Sequence, residues 1–389
     1  MSIRLSLPPP VLWRPTRGDA RRVTWIELFF DLVFVAVVAQ VGAPLGQHYA
    51  PDGVARYAFL LFVTWWAWHG YAIYTTRFDA RDGIQRATTL LQMVAVIFMA
   101  ANAEDDLASE SSAGFAAAYA LMRLILVAEY LRASTLAAAR QLAREYAAGY
   151  GLAAGLWLVS ALVPLPMRFA LWGLALAVDV GTAVLTSRHA IRFPPHAEHL
   201  PERFGLFTLI LLGESIVDAV KGIQSQAGWT PAAAMAALCG IGLLFAMWWS
   251  YFEGAAGPAD RHVRSRREAR WLEVWSYAHV PLYIGVAVTG LGIEHIVRDA
   301  GASPLHADEA WLLCGASAAF AVAVSVIGLA SDRLRLHARP RLLGAALVLA
   351  SAMLALVPVA RSLMPGVLVM SLAVLMAAHG ALIKRWRMR

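Results

Sequence analysis

An all-α polytopic membrane bundle is the fold this sequence predicts, and three observations predict it. Hydrophobic residues make up 59% of the 389-residue chain and charged residues only 15%, a balance far from that of a soluble protein of this size. Apolar runs of about 20 residues, long enough to cross a bilayer, recur along the whole length. The 33 Lys and Arg residues fall almost entirely in every second connection, which is the bias of cytoplasmic loops.

Twelve spans account for those runs. The first, near 25–45, opens Glu27-Leu-Phe-Phe-Asp31 and stays apolar to Gln40; the second, 54–75, carries Trp65-Trp66 and His69. The third and fourth, 87–103 and 113–131, flank the acidic loop Glu104-Asp105-Asp106, and the fourth holds Arg123 and Glu129. The fifth is 146–163, and the sixth, 169–186, contains Asp179. Pro201, suited to a first helical turn, introduces the seventh at 204–223; the eighth, 231–252, carries Trp248-Trp249. The ninth, 271–294, holds Glu273 and His279, and 309–330, 342–360 and 363–383 complete the set.

The basic residues test that count independently. The two tails and the loops after the even-numbered spans hold 27 of the 33, the loops after the odd-numbered spans hold 5, and Arg123 lies inside a span. A wrong number of spans would scramble the alternation, so both termini are expected in the cytoplasm. The chain then divides into a basic tail at 1–24, a first half at 25–186, a cytoplasmic linker at 187–203, a second half at 204–383 and a basic tail at 384–389. Phe62-Val-Thr-Trp65-Trp66 is echoed by Phe245-Ala-Met-Trp248-Trp249 in the eighth span, which suggests two six-helix pseudo-repeats of the same orientation.

The net charge of +7 is explained by this positive-inside bias, so a nucleic-acid partner is not expected; the expected partners are the lipid bilayer and a small solute or ion. Cys239 and Cys314 both lie inside spans and are read as small apolar residues. The amino-terminal tail, with Pro8-Pro9-Pro10, lacks a small-residue cleavage site and is expected to be retained. No Gly-x-Ser-x-Gly, phosphate-binding loop or His-Glu-x-x-His occurs, so neither an enzyme nor a cofactor is expected. His196-x-x-His199 has metal-ligand spacing, but Pro194-Pro195 separates it from His189 and no Cys is near; no metal site is expected.

Candidate functional residues are the ionisable groups inside spans, which are costly to place in a bilayer. Glu27 and Asp31 are one turn apart and share a helix face, with Asp31 deeper and Arg21 and Arg22 placed to neutralise Glu27. The seventh span begins Glu202-Arg203, reaches Glu214 near the bilayer midplane, and continues Asp218 and Lys221 at i+4 and i+7, one polar stripe. His69, Asp179 and His279 could partner these acids, and Arg77-Phe78-Asp79 forms a charged turn after the second span.

The chain resembles the bacterial low temperature requirement A family. Glu27-Leu-Phe-Phe-Asp-Leu-Val-Phe-Val is similar to its amino-terminal signature, and His199-x-x-Glu202-Arg203-Phe-Gly-Leu-Phe-Thr-x-x-x-Leu-Gly213-Glu214 to its second. Arg77-Phe78-Asp79, Trp248-Trp249 with Tyr251-Phe252, and Tyr277-x-His279-x-Pro281-Leu282 add to the likeness. That resemblance implies a bacterial inner-membrane protein and no defined reaction. A transporter or permease using Asp31 and Glu214 is the leading expectation; the alternatives are a non-transporting protein of cold or stress adaptation and a lipid-handling membrane enzyme.

Overall fold

The computed structural model describes residues 9–12, 21–47, 49–79, 82–103, 111–189, 191–225, 230–255, 257–300, 305–330 and 339–388. The acidic Glu104-Asp105-Asp106 loop, most of the amino-terminal tail and the Asp79 side chain lie outside the described residues. The fold is helical throughout: α1 (Trp25–Gln47), α2 (Pro51–Arg77), α3 (Gly83–Ala101), α4 (Ser111–Ala133), α5 (Arg140–Leu162), α6 (Met167–Thr186), α7 (His199–Gln224), α8 (Pro231–Trp249), α9 (Arg266–Arg298), α10 (Ala307–Leu329), α11 (Arg339–Leu354), the one-turn α12 (Val357–Ala360) and α13 (Pro365–Met388). A π turn, Ser250–Ala255, prolongs α8, and the two-residue strands Val11–Leu12 and Phe78–Asp79 pair antiparallel.

Local chemistry sets several of the helix starts. Asp82 caps α3 by accepting the Gln85 N–H at 2.8 Å, and Thr230 caps α8 by accepting from Ala233, with Pro231 in the first turn. At α7 the His196 ring takes the capping role, its Nδ1 accepting from the backbone of Glu198 and His199.

Among the described residues, nine helical stretches are long and apolar enough to cross a membrane, namely α1, α3, α4, α6, α8 with its π turn, α9, α10, α11 with α12, and α13. Their outer faces stay apolar. On α3, Leu90, Leu91, Ile97 and Phe98 are exposed while Met93, Val96 and Met99 on the opposite face are buried. A helix apolar on both its packed and its free side suits lipid and not water. The chain is therefore a multi-pass membrane protein. The other three long helices, α2, α5 and α7, fall outside that set.

The chain forms two compact units. Unit 1 comprises 1–40, 63–200 and 262–269; within it α4 packs against α3 and α5, and α5 against α6. Its core includes a tyrosine cluster, Tyr74, Tyr130, Tyr146 and Tyr150, with the Tyr130 and Tyr146 rings stacked at 4.7 Å. Unit 2 comprises 41–62, 201–261 and 270–389, where α13 packs along α8 and its π turn and α10 packs on α11.

Candidate functional site

The opening turn of α1 is held by a reciprocal cap. Thr24 Oγ1 accepts the Glu27 N–H at 3.4 Å, while Glu27 Oε2 accepts from both the Thr24 N–H (2.9 Å) and its hydroxyl (2.8 Å). The same carboxylate meets His199 Nε2 at 3.1 Å and Arg21 Nη2 at 3.8 Å. Thus the first residue of α7 docks on the first turn of α1, and Glu27, 4% exposed, serves the architecture.

Asp31, one turn deeper, is completely buried and accepts the Trp68 indole N–H of α2 at 2.7 Å. At the start of α1 a cavity of about 130 Å³ is lined by Arg21, Thr24, Glu27, Tyr71, Gln85 and Arg86, with Ile26, Thr75, Phe78 and Thr89. The Tyr71 and Thr89 hydroxyls meet at 2.7 Å on its wall. The lining offers two guanidiniums, one carboxylate, an amide and hydroxyls in a volume suited to an ion or a few waters.

Two further polar clusters lie within unit 1. Arg123 Nε donates to Asp179 Oδ2 at 3.1 Å, Arg123 Nη2 donates to the Trp66 carbonyl at 3.1 Å, and Tyr119 bridges both partners. Gly70 makes room for this guanidinium: a Cβ there would stand 2.5 Å from Arg123 Nη1. Glu129 accepts from Gln85 Nε2 (2.9 Å), Thr88 Oγ1 (2.7 Å) and Gln92 Nε2 (3.1 Å), all three donors from α3. Outside the helices, the Asp82 carboxyl is raised by partial burial, but its bond to Arg132 and the Gln85 and Ile84 N–H groups outweigh this and hold it below the usual carboxylate range.

The remaining sequence-predicted residues are distributed as follows. His69 is buried, its ring stacked on Trp66 at 5.3 Å. Arg77 donates to the Phe193 carbonyl and to Tyr146 Oη, both at 3.1 Å, so it anchors the segment leading to α7. Asp79 pairs by its backbone with Val11. In unit 2, Arg203 is fully buried and Glu202 half-buried. Asp218 is the buried acid of the α7 stripe, bound by Lys221 at 2.8 Å, whereas Glu214 is 19% exposed with Lys221 at 3.3 Å. His279 is fully buried between the Trp275 carbonyl (2.7 Å to Nδ1) and Tyr251 Oη (2.9 Å to Nε2). Asp31 and Glu214 belong to different units.

No sequence motif marks His379, whose two ring nitrogens meet Ser250 (2.9 Å) and Ser325 (2.8 Å) beside the π turn. Trp68 and Gln85, which meet Asp31 and Glu129, belong to no motif of the sequence. Among the described residues, a group of three His, Asp and Glu ligand atoms close enough to hold a metal ion occurs in unit 2, at His295, Asp299 and Glu309.

The family model for the bacterial low temperature requirement A protein (LtrA) matches residues 22–379. An uncharacterized protein of Rhizobium meliloti (strain 1021) is 28% identical over 298 residues, covering 72% of this chain and 70% of that protein. No solved structure matches. The chain belongs to the bacterial low temperature requirement A family.

Proposed function

We propose that this member of the low temperature requirement A family is a permease of the bacterial inner membrane that moves a small ion or solute, with the α1 opening as its cytoplasmic entry. The observation that carries the reading is Asp31, a fully buried carboxylate one helical turn from Glu27, which lines a 130 Å³ cavity together with Arg21 and Arg86. A carboxylate buried within a membrane bundle is a functional candidate by default. The positive-inside distribution orients that mouth toward the cytoplasm, and α2, α5 and α7 complete twelve crossings. Asp31 would exchange the ion or proton, Arg21 and Arg86 would screen what enters, and the Glu27 cap would hold the mouth in shape.

The purified chain in proteoliposomes, loaded with a pH-sensitive dye and given Na⁺, K⁺ or H⁺ gradients in turn, tests this. Flux in the wild type that Asp31→Asn abolishes, with Glu27→Gln mainly lowering thermal stability, is the expected result. Full flux in Asp31→Asn refutes the proposal, as does absence of flux both under every gradient and with a panel of small organic solutes.

A second reading, a non-transporting protein whose buried charges only fix the bundle, is favoured by one observation. The Arg123–Asp179 and Glu129 clusters are each closed by neighbouring protein groups, none of which lines the cavity except Gln85. It predicts that every buried acid matters to stability alone.

A further inference from the structure

At the end of unit 2 where α9 passes into α10, three groups from two helices converge. His295 and Asp299 are one turn apart on the last turn of α9 and just beyond it, and Glu309 stands in the first turn of α10. One ligand atom from each lies within 4.8 Å of the others. His295 Nδ1 is 3.7 Å from Glu309 Oε1, close to the roughly 3.4 Å that separates two ligands each about 2.1 Å from a tetrahedral metal. Asp299 is exposed, so its carboxylate is free to turn inward.

A second, independent feature concerns the imidazole. His295 Nε2 lies 2.8 Å from the Gly46 carbonyl. A carbonyl only accepts, so Nε2 carries the hydrogen, and in the neutral ring the lone pair then sits on Nδ1. That Nδ1 is sealed from solvent and has no hydrogen-bond partner. A backbone carbonyl fixing the distal nitrogen while the proximal one faces carboxylates is how proteins orient a metal-binding histidine. Arg298 donates to the same Gly46 carbonyl at 3.1 Å and stands 3.8 Å from Glu294. Tyr49 packs its ring on His295 at 5.3 Å, closing the apolar side.

We propose that His295, Asp299 and Glu309 form a binding site for a divalent transition cation of the zinc class, which would staple the end of α9 to the start of α10. One imidazole and two carboxylates select such an ion over Mg²⁺ or Ca²⁺, which favour oxygen-only shells. His306, whose Nδ1 is 3.7 Å from the second Glu309 oxygen, is the nearest candidate for a fourth ligand.

The full chain, purified in detergent, stripped with chelator and titrated with ZnCl₂ in a calorimeter, tests the site. One equivalent is expected to bind, and His295→Ala and Glu309→Gln are each expected to weaken it by at least about tenfold. Because Asp299 is exposed, Asp299→Asn leaves the fold intact and serves as the safeguard variant: Zn²⁺ should raise the Tm of the wild type and not that of Asp299→Asn. Cobalt in place of zinc should give a visible absorption band that the three variants lose. No binding by the stripped wild type, or unchanged affinity in all three variants, overturns the proposal and leaves a plain His295–Glu309 ion pair.

Discussion

Replacing Asp179 with Leu strands a guanidinium inside unit 1. Arg123 is 1% exposed and Asp179 fully buried, so water cannot take over the lost partner. Breaking a buried pair from one side costs about 3 to 5 kcal/mol. If the chain unfolds cooperatively, an unfolding entropy of about 2.1 cal/mol/K per residue amounts to roughly 0.8 kcal/mol/K here, and the loss becomes a fall in Tm of about 4 to 6 °C. Arg123→Met should cost a similar amount. The double variant R123M/D179L removes both charges at once. Arg123 Nη1 and Asp179 Oδ1 already lack partners in the native structure, so the pair is not fully repaid, and the double should return to within about 1 °C of wild type. Cys239 and Cys314 are both buried, which makes a thiol-reactive dye a direct reporter of the melt in detergent. A double variant that loses as much as the two singles summed would refute the reasoning. A stable double variant that still supports flux in liposomes would assign this pair to the frame and not to the pathway.

Two further outcomes follow from the same geometry. Glu129→Gln turns an acceptor of three α3 donors into a group that must point its own NH₂ at one of them, with an expected loss of about 1 to 3 kcal/mol, read as a lower melting temperature of the detergent-solubilised protein. Stability should also fall in acid through Asp82: its carboxyl titrates lower in the folded than in the unfolded chain, so the unfolded state binds the extra proton, and the stabilisation present above the ordinary Asp range fades as pH drops below about 4; Arg132→Gln should flatten that part of the Tm profile against pH.

What could be read from the sequence was what a single helix displays. Glu214, Asp218 and Lys221 were visible as one stripe because their spacing alone puts them on one face, and Asp31 was ranked above Glu27 because it lies one turn further in. Residue types and spacing do not say which turns of distant helices meet. Hence nothing in the sequence joins Arg123 to Asp179, which partner each other, and His199, at metal-ligand spacing from His196, instead meets Glu27, while His196 caps its helix. Spacing on one helix also does not say which acid of a stripe its neighbours cover: Glu214 is half-buried and Asp218, one turn on, is buried. The His295, Asp299 and Glu309 group is hidden in the sequence because its members come from the end of one helix and the start of the next, with the connection 299–306 between them.

Hydropathy misjudges helices for a physical reason that α2 makes plain. Average apolarity measures how well a helix suits lipid around its whole circumference, and a helix enclosed by protein has no such circumference to satisfy. From Val63 to Phe78 every residue except Ile73 is buried, although α2 falls below the apolarity at which the nine candidate spans stand out. What replaces apolar bulk is aromatic surface with a polar handle, which fills volume and still donates a hydrogen bond. Trp68 reaches Asp31, the Trp66 carbonyl receives Arg123, Tyr71 lines the cavity, and Arg77 holds Phe193. The Asp31 contact, the Arg123–Asp179 cluster and the anchor to Phe193 are thus each completed by α2. The motif on α1 marks where the buried acid sits, but α2 is the helix that decides what surrounds it, and substitutions along its Trp65 to Arg77 segment should disturb Asp31, Arg123 and the cavity together.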